Sequence, residues 1–178
     1  MEKLTSSIFN YMDKNIFTNK LKNWLNNFLN IKFSETHEVV SVLIPETSLA
    51  KMNNEAIKQI ANYSTWEFKP DVLGILKNKK NSRLELVLLN RSTSALSLKE
   101  LGEMNCYARL TGALLAFVAS TNGVSNEVNI LLLEDKIRQR VLSYGEGQDI
   151  IVVGWDEKND RISEDSVIPF SKKDFIVN

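Results

Sequence analysis

Residues 66–91 read WEFKPDVLGILKNKKNSRLELVLLNR. Two apolar runs, at 72–76 and 84–89, flank the polar turn NKKNS. Such runs around an Asn/Lys/Ser turn form a β-hairpin. With the turn set at Asn78–Asn81, Asp71 falls opposite Leu88 or Leu89, and Arg91 lies just beyond on the face of Leu89.

Working outward, residues 3–30 carry helical periodicity. Phe17, Leu21, Trp24, Leu25 and Phe28 recur at spacings of three and four, an aromatic-rich stripe suited to a core or a dimer interface. EVVSVLIP at 38–45 is β-branched and closed by proline, as a strand would be. Residues 48–62 return to a helical pattern with Ser48 as N-cap. Downstream of the hairpin, 96–110 is expected to be a helix capped by Ser97 with Glu100 three residues on, and Leu98, Leu101 and Leu110 inward. ALLAFVAS at 113–120 is a buried strand, 126–144 a long helix ended by Gly145, and DIIVVGW at 149–155 another buried strand. The polar tail from Asp156 is expected to end in a short strand or irregular segment. The order β-β-α-β-α-β predicts an α/β fold with a central mixed sheet of roughly four to six strands flanked by helices. The expected organisation is one domain: an N-terminal helical and single-strand elaboration (1–65), a core (66–155) and a tail (156–178).

Composition narrows the chemistry. The 22 basic and 22 acidic side chains cancel, so overall charge gives no argument for a nucleic-acid partner. Cys106 is the one cysteine and His37 the one histidine, which removes disulfides, cysteine-based zinc sites and His-rich metal sites within one chain. Cys106 beside Tyr107 reads as a small buried hydrophobe, and His37 has no companion that would make it catalytic. No apolar run approaches the roughly 18 residues that span a bilayer, and the polar first residues do not read as a signal peptide. The expected compartment is therefore the cytoplasm, with no membrane partner.

Lys69-Pro70-Asp71 opens the first hairpin strand, the second strand ends at Leu89-Asn90-Arg91, and the helix that follows carries Glu103-Met-Asn-Cys-Tyr107. This layout resembles the PD-(D/E)XK (restriction-endonuclease-like) nuclease superfamily over about half the chain. There, a Pro-Asp strand precedes a strand ending in an acid-x-Lys triplet, and several branches place Gln-x-x-x-Tyr on the next helix. The resemblance implies a restriction-endonuclease-like core and a DNA-processing or host-defence role.

The chemistry behind those residue types is phosphodiester hydrolysis. One or two Mg²⁺ ions activate water and offset the charge growing on phosphate, and Mg²⁺ prefers carboxylate oxygens. Here the triplet's acid position is expected at Leu89 and its lysine position at Arg91, which stays protonated and serves only as a cation. A rearranged site would then use Asp71 and Glu103 as metal ligands, Arg91 as cation, and Lys69 in the lysine's place, with Glu46 or Glu55 as upstream acids. Tyr107 and the turn lysines Lys77, Lys79 and Lys80 are candidate DNA contacts. Each has a plain structural alternative: Asp71 at a strand edge, Glu103 exposed beside a half-buried phenol, Arg91 paired with Glu100 or Glu103, and solubilising turn lysines. Two functional hypotheses follow, a Mg²⁺-dependent endonuclease centred on Asp71, or a catalytically degenerate DNA-binding or assembly subunit, possible as a homodimer or in a larger complex. The alternative from a different class is an unrelated intracellular α/β protein-interaction module.

Overall fold

The computed structural model describes residues 13–177. The expected helix over 3–30 therefore lies partly outside the described residues. Its visible part is α1 (Lys14–Phe33), begun by Asp13, whose carboxylate accepts hydrogen bonds from the Asn15 and Ile16 N–H groups at 2.7 and 3.3 Å.

The strands are β1 (His37–Leu43), β2 (Val72–Asn78), β3 (Leu84–Ser92), β4 (Leu115–Ser120), β5 (Ser143–Gly145), β6 (Gln148–Asp156) and β7 (Arg161–Ile168). They form one mixed sheet ordered β1-β2-β3-β4-β6, with β5 and β7 both pairing with β6. β2 is antiparallel to both neighbours, β3, β4 and β6 are parallel, and β7 is antiparallel to β6. The sheet has seven strands rather than four to six: β1 joins at one edge, and both the short β5 and β7 of the tail pair with β6.

Alternation along the strands divides the interior in two. Leu73, Ile75, Leu86, Leu88, Val118 and Ile150 face one way and pack against α3 (Leu98–Thr111), α4 (Asn126–Leu133) and α5 (Asp135–Leu142). Val72, Leu76, Val87, Leu89, Phe117 and Ile151 face the other way, against the α1 stripe of Phe17, Leu21, Leu25, Phe28 and Leu29. Crossovers of one hand between the adjacent parallel strands β3, β4 and β6 put α3, α4 and α5 on a common face, leaving the opposite face to α1. α1 lies close to β2: a Cβ added at Gly74 would stand 2.9 Å from Leu29 Cδ1. A short helix, α6 (Lys173–Val177), ends the described chain.

Three helical expectations need correction. Residues 48–62 do not form one helix; a helical turn at Leu49–Lys51, the short α2 (Glu55–Lys58) and a turn at Tyr63–Thr65 follow one another. Ser48 makes no side-chain cap; instead Asn54 caps α2, and Asn62 takes the left-handed conformation at φ 65°. The helix expected over 126–144 is broken at Glu134, whose ψ of 116° is extended, and Gly145 belongs to β5 rather than to a cap. In α3, Leu98 and Leu110 face solvent, while Leu101, Met104 and Ala108 face the sheet.

Candidate functional site

The hairpin register lies one residue beyond the nearer of the two expected ones, which set Asp71 opposite Leu88 or Leu89. Val72 pairs with Leu89 and Lys77 with Leu84, so the residue beside Asp71 is Asn90. The cause is the turn, which occupies 79–82 rather than 78–81. Asn78 N–H donates to the Arg83 carbonyl, and Ser82 takes the left-handed conformation at φ 59°. A one-residue slip exchanges the faces of every side chain on the strand. Leu89, expected beside Asp71, is instead buried against α1, and Asn90 reaches Asp71.

Pro70 explains the local arrangement. In this register Arg91 stands opposite Pro70, which has no N–H to donate to the Arg91 carbonyl, so the ladder stops at Val72 and Leu89 and the Arg91 N–H takes another acceptor. The Asp71 carboxylate takes the ladder's place: Oδ2 accepts from Arg91 N–H at 2.8 Å, and Asp71 N–H donates to Asn90 Oδ1 at 3.2 Å. Asp71 Oδ1 stands 3.9 Å from the Arg91 guanidinium, whose Nε donates to Thr18 Oγ1 on α1 at 2.5 Å. Arg91 therefore pairs with Asp71 and Thr18, not with Glu100 or Glu103. Glu100 is occupied at the α3 N-terminus, where it accepts from the Ser97 N–H at 2.9 Å. Partial burial pushes the Glu100 carboxyl up, but the hydrogen bonds from Ser97 prevail and hold its pKa below the usual value.

The other candidates are placed as follows. Glu103 and Cys106 are exposed on α3, so Cys106 is not a buried hydrophobe. Tyr107, one turn after Glu103, stacks on Phe68 with ring centroids 4.1 Å apart and planes 6° from parallel. That stack sets the Glu103–Tyr107 stretch against the segment leading into Asp71. Burial first, then the nearby Glu103 and Cys106, raise the Tyr107 phenol above its usual pKa. Lys69 Nζ donates to the main-chain oxygen of Glu46 at 3.2 Å, and Glu55 pairs with Lys58 at 2.8 Å. At the hairpin tip, Lys77 and Lys80 are exposed, while Lys79 Nζ donates to the Ser34 carbonyl at the end of α1 at 2.6 Å. A cation suits that helix terminus. Asp71 and the tip stand at opposite ends of β2, roughly 20 Å apart at about 3.3 Å per residue.

The donor set at Asp71 fits Mg²⁺ poorly. It offers one carboxylate already engaged by a main-chain N–H, one amide and one guanidinium, whereas the ion prefers anionic oxygen and avoids a fixed cation. Among the described residues no group of three or more His, Cys, Asp or Glu side chains is gathered to hold a metal. The observed role of Asp71 is to close the β2–β3 ladder. Asp71→Ala should therefore destabilise the chain by about 1–3 kcal/mol through the orphaned Arg91 groups. Urea unfolding checks this, and a loss under about 0.5 kcal/mol would show the ladder indifferent to Asp71.

Two features escaped sequence reasoning. Asn90 carried no signal beyond the turn length that sets the register. His37 does have companions: Nε2 lies 2.9 Å from Glu85 Oε2, and Nδ1 lies 2.7 Å from Thr36 Oγ1. Forty-eight residues separate His37 from Glu85, and nothing local to either indicates the pair. Compared with protein-family models and with curated proteins, the chain matches none. Among the described residues no helix is long and apolar enough to cross a membrane.

Proposed function

We propose that this chain is a PD-(D/E)XK-like DNA-processing protein whose metal site is degenerate and which acts as a DNA-binding or assembly subunit. The single observation carrying this reading is the state of Asp71. Its carboxylate is held by Arg91, and an amide, Asn90, stands where a second acid would be needed. The order of elements supports the nuclease-like part: α1, an antiparallel run of three strands, α3, then a strand parallel to the third. On this reading the acid-x-Lys triplet corresponds to Asn90-Arg91-Ser92 rather than to Leu89-Asn90-Arg91, with neither its acid nor its lysine kept. Lys77 and Lys80 supply a cationic hairpin tip. Its distance from Asp71, roughly 20 Å, corresponds to about six steps of a duplex at 3.4 Å each.

The test combines cleavage and binding. Plasmid and single-stranded DNA incubated with Mg²⁺ or Mn²⁺ should stay intact with the wild type and with Asp71→Ala. Cutting by the wild type that the variant loses would replace this reading with that of an active endonuclease. Duplex affinity should fall steeply between roughly 50 and 200 mM salt, and Lys77→Glu with Lys80→Glu should reduce the log–log slope by about 2. A flat salt response would favour a protein-interaction module instead.

A further inference from the structure

β3 extends beyond its neighbour on one side. β4 enters the sheet at Leu115, opposite Val87, and the Leu114 N–H donates to the Leu86 carbonyl at 2.8 Å. Among the described residues, the preceding part of β3 has β2 on one side and no strand on the other. Because Asn78 N–H bonds the Arg83 carbonyl, alternation along the antiparallel pair turns the N–H and C=O of Leu84 away from β2. They point into a groove of about 690 Å³, lined among others by Gln59, Asn62, Arg83, Leu110, Thr111 and Gln148. The volume lies in the range of ligand clefts. Leu110 is exposed at its rim, and Arg83 is in no ion pair among the described residues. The carboxylate of Glu85 is directed to His37, which leaves Arg83 the uncompensated charge at this mouth.

We propose that this notch binds an extended acidic peptide segment of a partner protein, which pairs its main chain with Leu84 and sets a carboxylate against Arg83. The mode is β-strand addition, in which main-chain hydrogen bonds give affinity and flanking pockets give specificity. Leu84 and Leu110 offer apolar contact, and the side-chain amides of Gln59, Asn62 and Gln148 suit the polar groups of a peptide backbone. An unpaired sheet edge selects a peptide over a nucleic acid, which has no strand to add. The site uses neither Asp71 nor the tip lysines Lys77 and Lys80, so it stands whether or not the chain binds DNA.

Phage-displayed short random peptides panned on the full-length chain provide the probe. The expected outcome is a consensus alternating apolar residues with Asp or Glu. Its synthetic, fluorescein-labelled form should bind at least about tenfold more weakly to Arg83→Glu, an exposed change that leaves the fold intact. In wild-type amide NMR spectra the Leu84 resonance should be among those moved by the peptide. Leu84→Pro, which removes the outward N–H without touching a β2 ladder bond, should abolish binding while retaining the circular dichroism of the wild type. No consensus, a consensus indifferent to Arg83→Glu, an unmoved Leu84 amide, or displacement of the peptide by a single-stranded oligonucleotide would each overturn the proposal.

Discussion

Phe117→Ala is expected to cost about 3–5 kcal/mol, whereas Phe170→Ala should stay within about 0.5 kcal/mol of the wild type. Phe117 is fully buried on β4, and Phe170 is 75% exposed near the end of the chain. Phe117 stands edge-to-face with Trp24 at 5.5 Å and with Phe28 at 5.8 Å, so one ring joins two turns of α1 to the sheet centre. Phe28 continues the contact edge-to-face to Phe175 of α6 at 5.4 Å. Edge-to-face pairs of this kind are worth about 0.5–1.5 kcal/mol beyond the area they bury. Truncation removes both pairs and leaves a cavity that the rigid β4 backbone cannot close. For a chain of this size the loss corresponds to a fall in melting temperature of roughly 6–20 °C. Parallel thermal and urea unfolding of the two variants checks the prediction. A Phe117→Ala loss below about 1.5 kcal/mol would mean that α1 is held to the sheet by other contacts.

The same packing explains what could be read in the sequence. The stripe Phe17, Leu21, Leu25 and Phe28 was legible because a helix covering a whole sheet face must keep its apolar residues at spacings of three and four. Ser97 and Glu100 were legible because a capping box is local: both partners lie within one turn. The broken segments were not legible, since the competing interactions are small and polar. Asn54 and Asn62 redirect the chain in 48–62 through a cap and a left-handed residue, and neither disturbs apolar periodicity. In 126–144 the extended backbone at Glu134 lets Val128, Leu132 and Leu142 all reach one core, a tertiary requirement invisible to a helical wheel.

The candidate site shows the same division more sharply. Asp71 and Arg91 were singled out, and they do meet, but in a role set by Pro70 and by register. The apolar runs of the hairpin are continuous on both faces, because both faces are buried. They therefore carry no alternation that would fix the register. The turn alone sets it, and the left-handed Ser82 is not a residue that sequence rules favour there.

If the lack of a second acid beside Asp71 is what separates this site from a metal centre, Asn90→Asp should create a Mg²⁺ dependence that the wild type is expected to lack. The Asp71 and Asn90 pair lies one step beyond Val72 and Leu89. It falls at a non-hydrogen-bonded position, where opposing side chains come closest. Aspartate at 90 keeps an oxygen for the Asp71 N–H, so the local fold is retained. Two carboxylates against one guanidinium make the site net negative. In a chelator their repulsion should cost about 1 kcal/mol. At about 10 mM Mg²⁺ and a dissociation constant near 0.1 mM, binding should restore roughly 2.7 kcal/mol, or about 5–10 °C in melting temperature. The wild type should melt at one temperature in chelator and in Mg²⁺. An Asn90→Asp protein equally indifferent to the ion would show that Arg91, not the missing acid, closes this site to metal. Asn90→Asp combined with Arg91→Gln would then be the variant expected to bind.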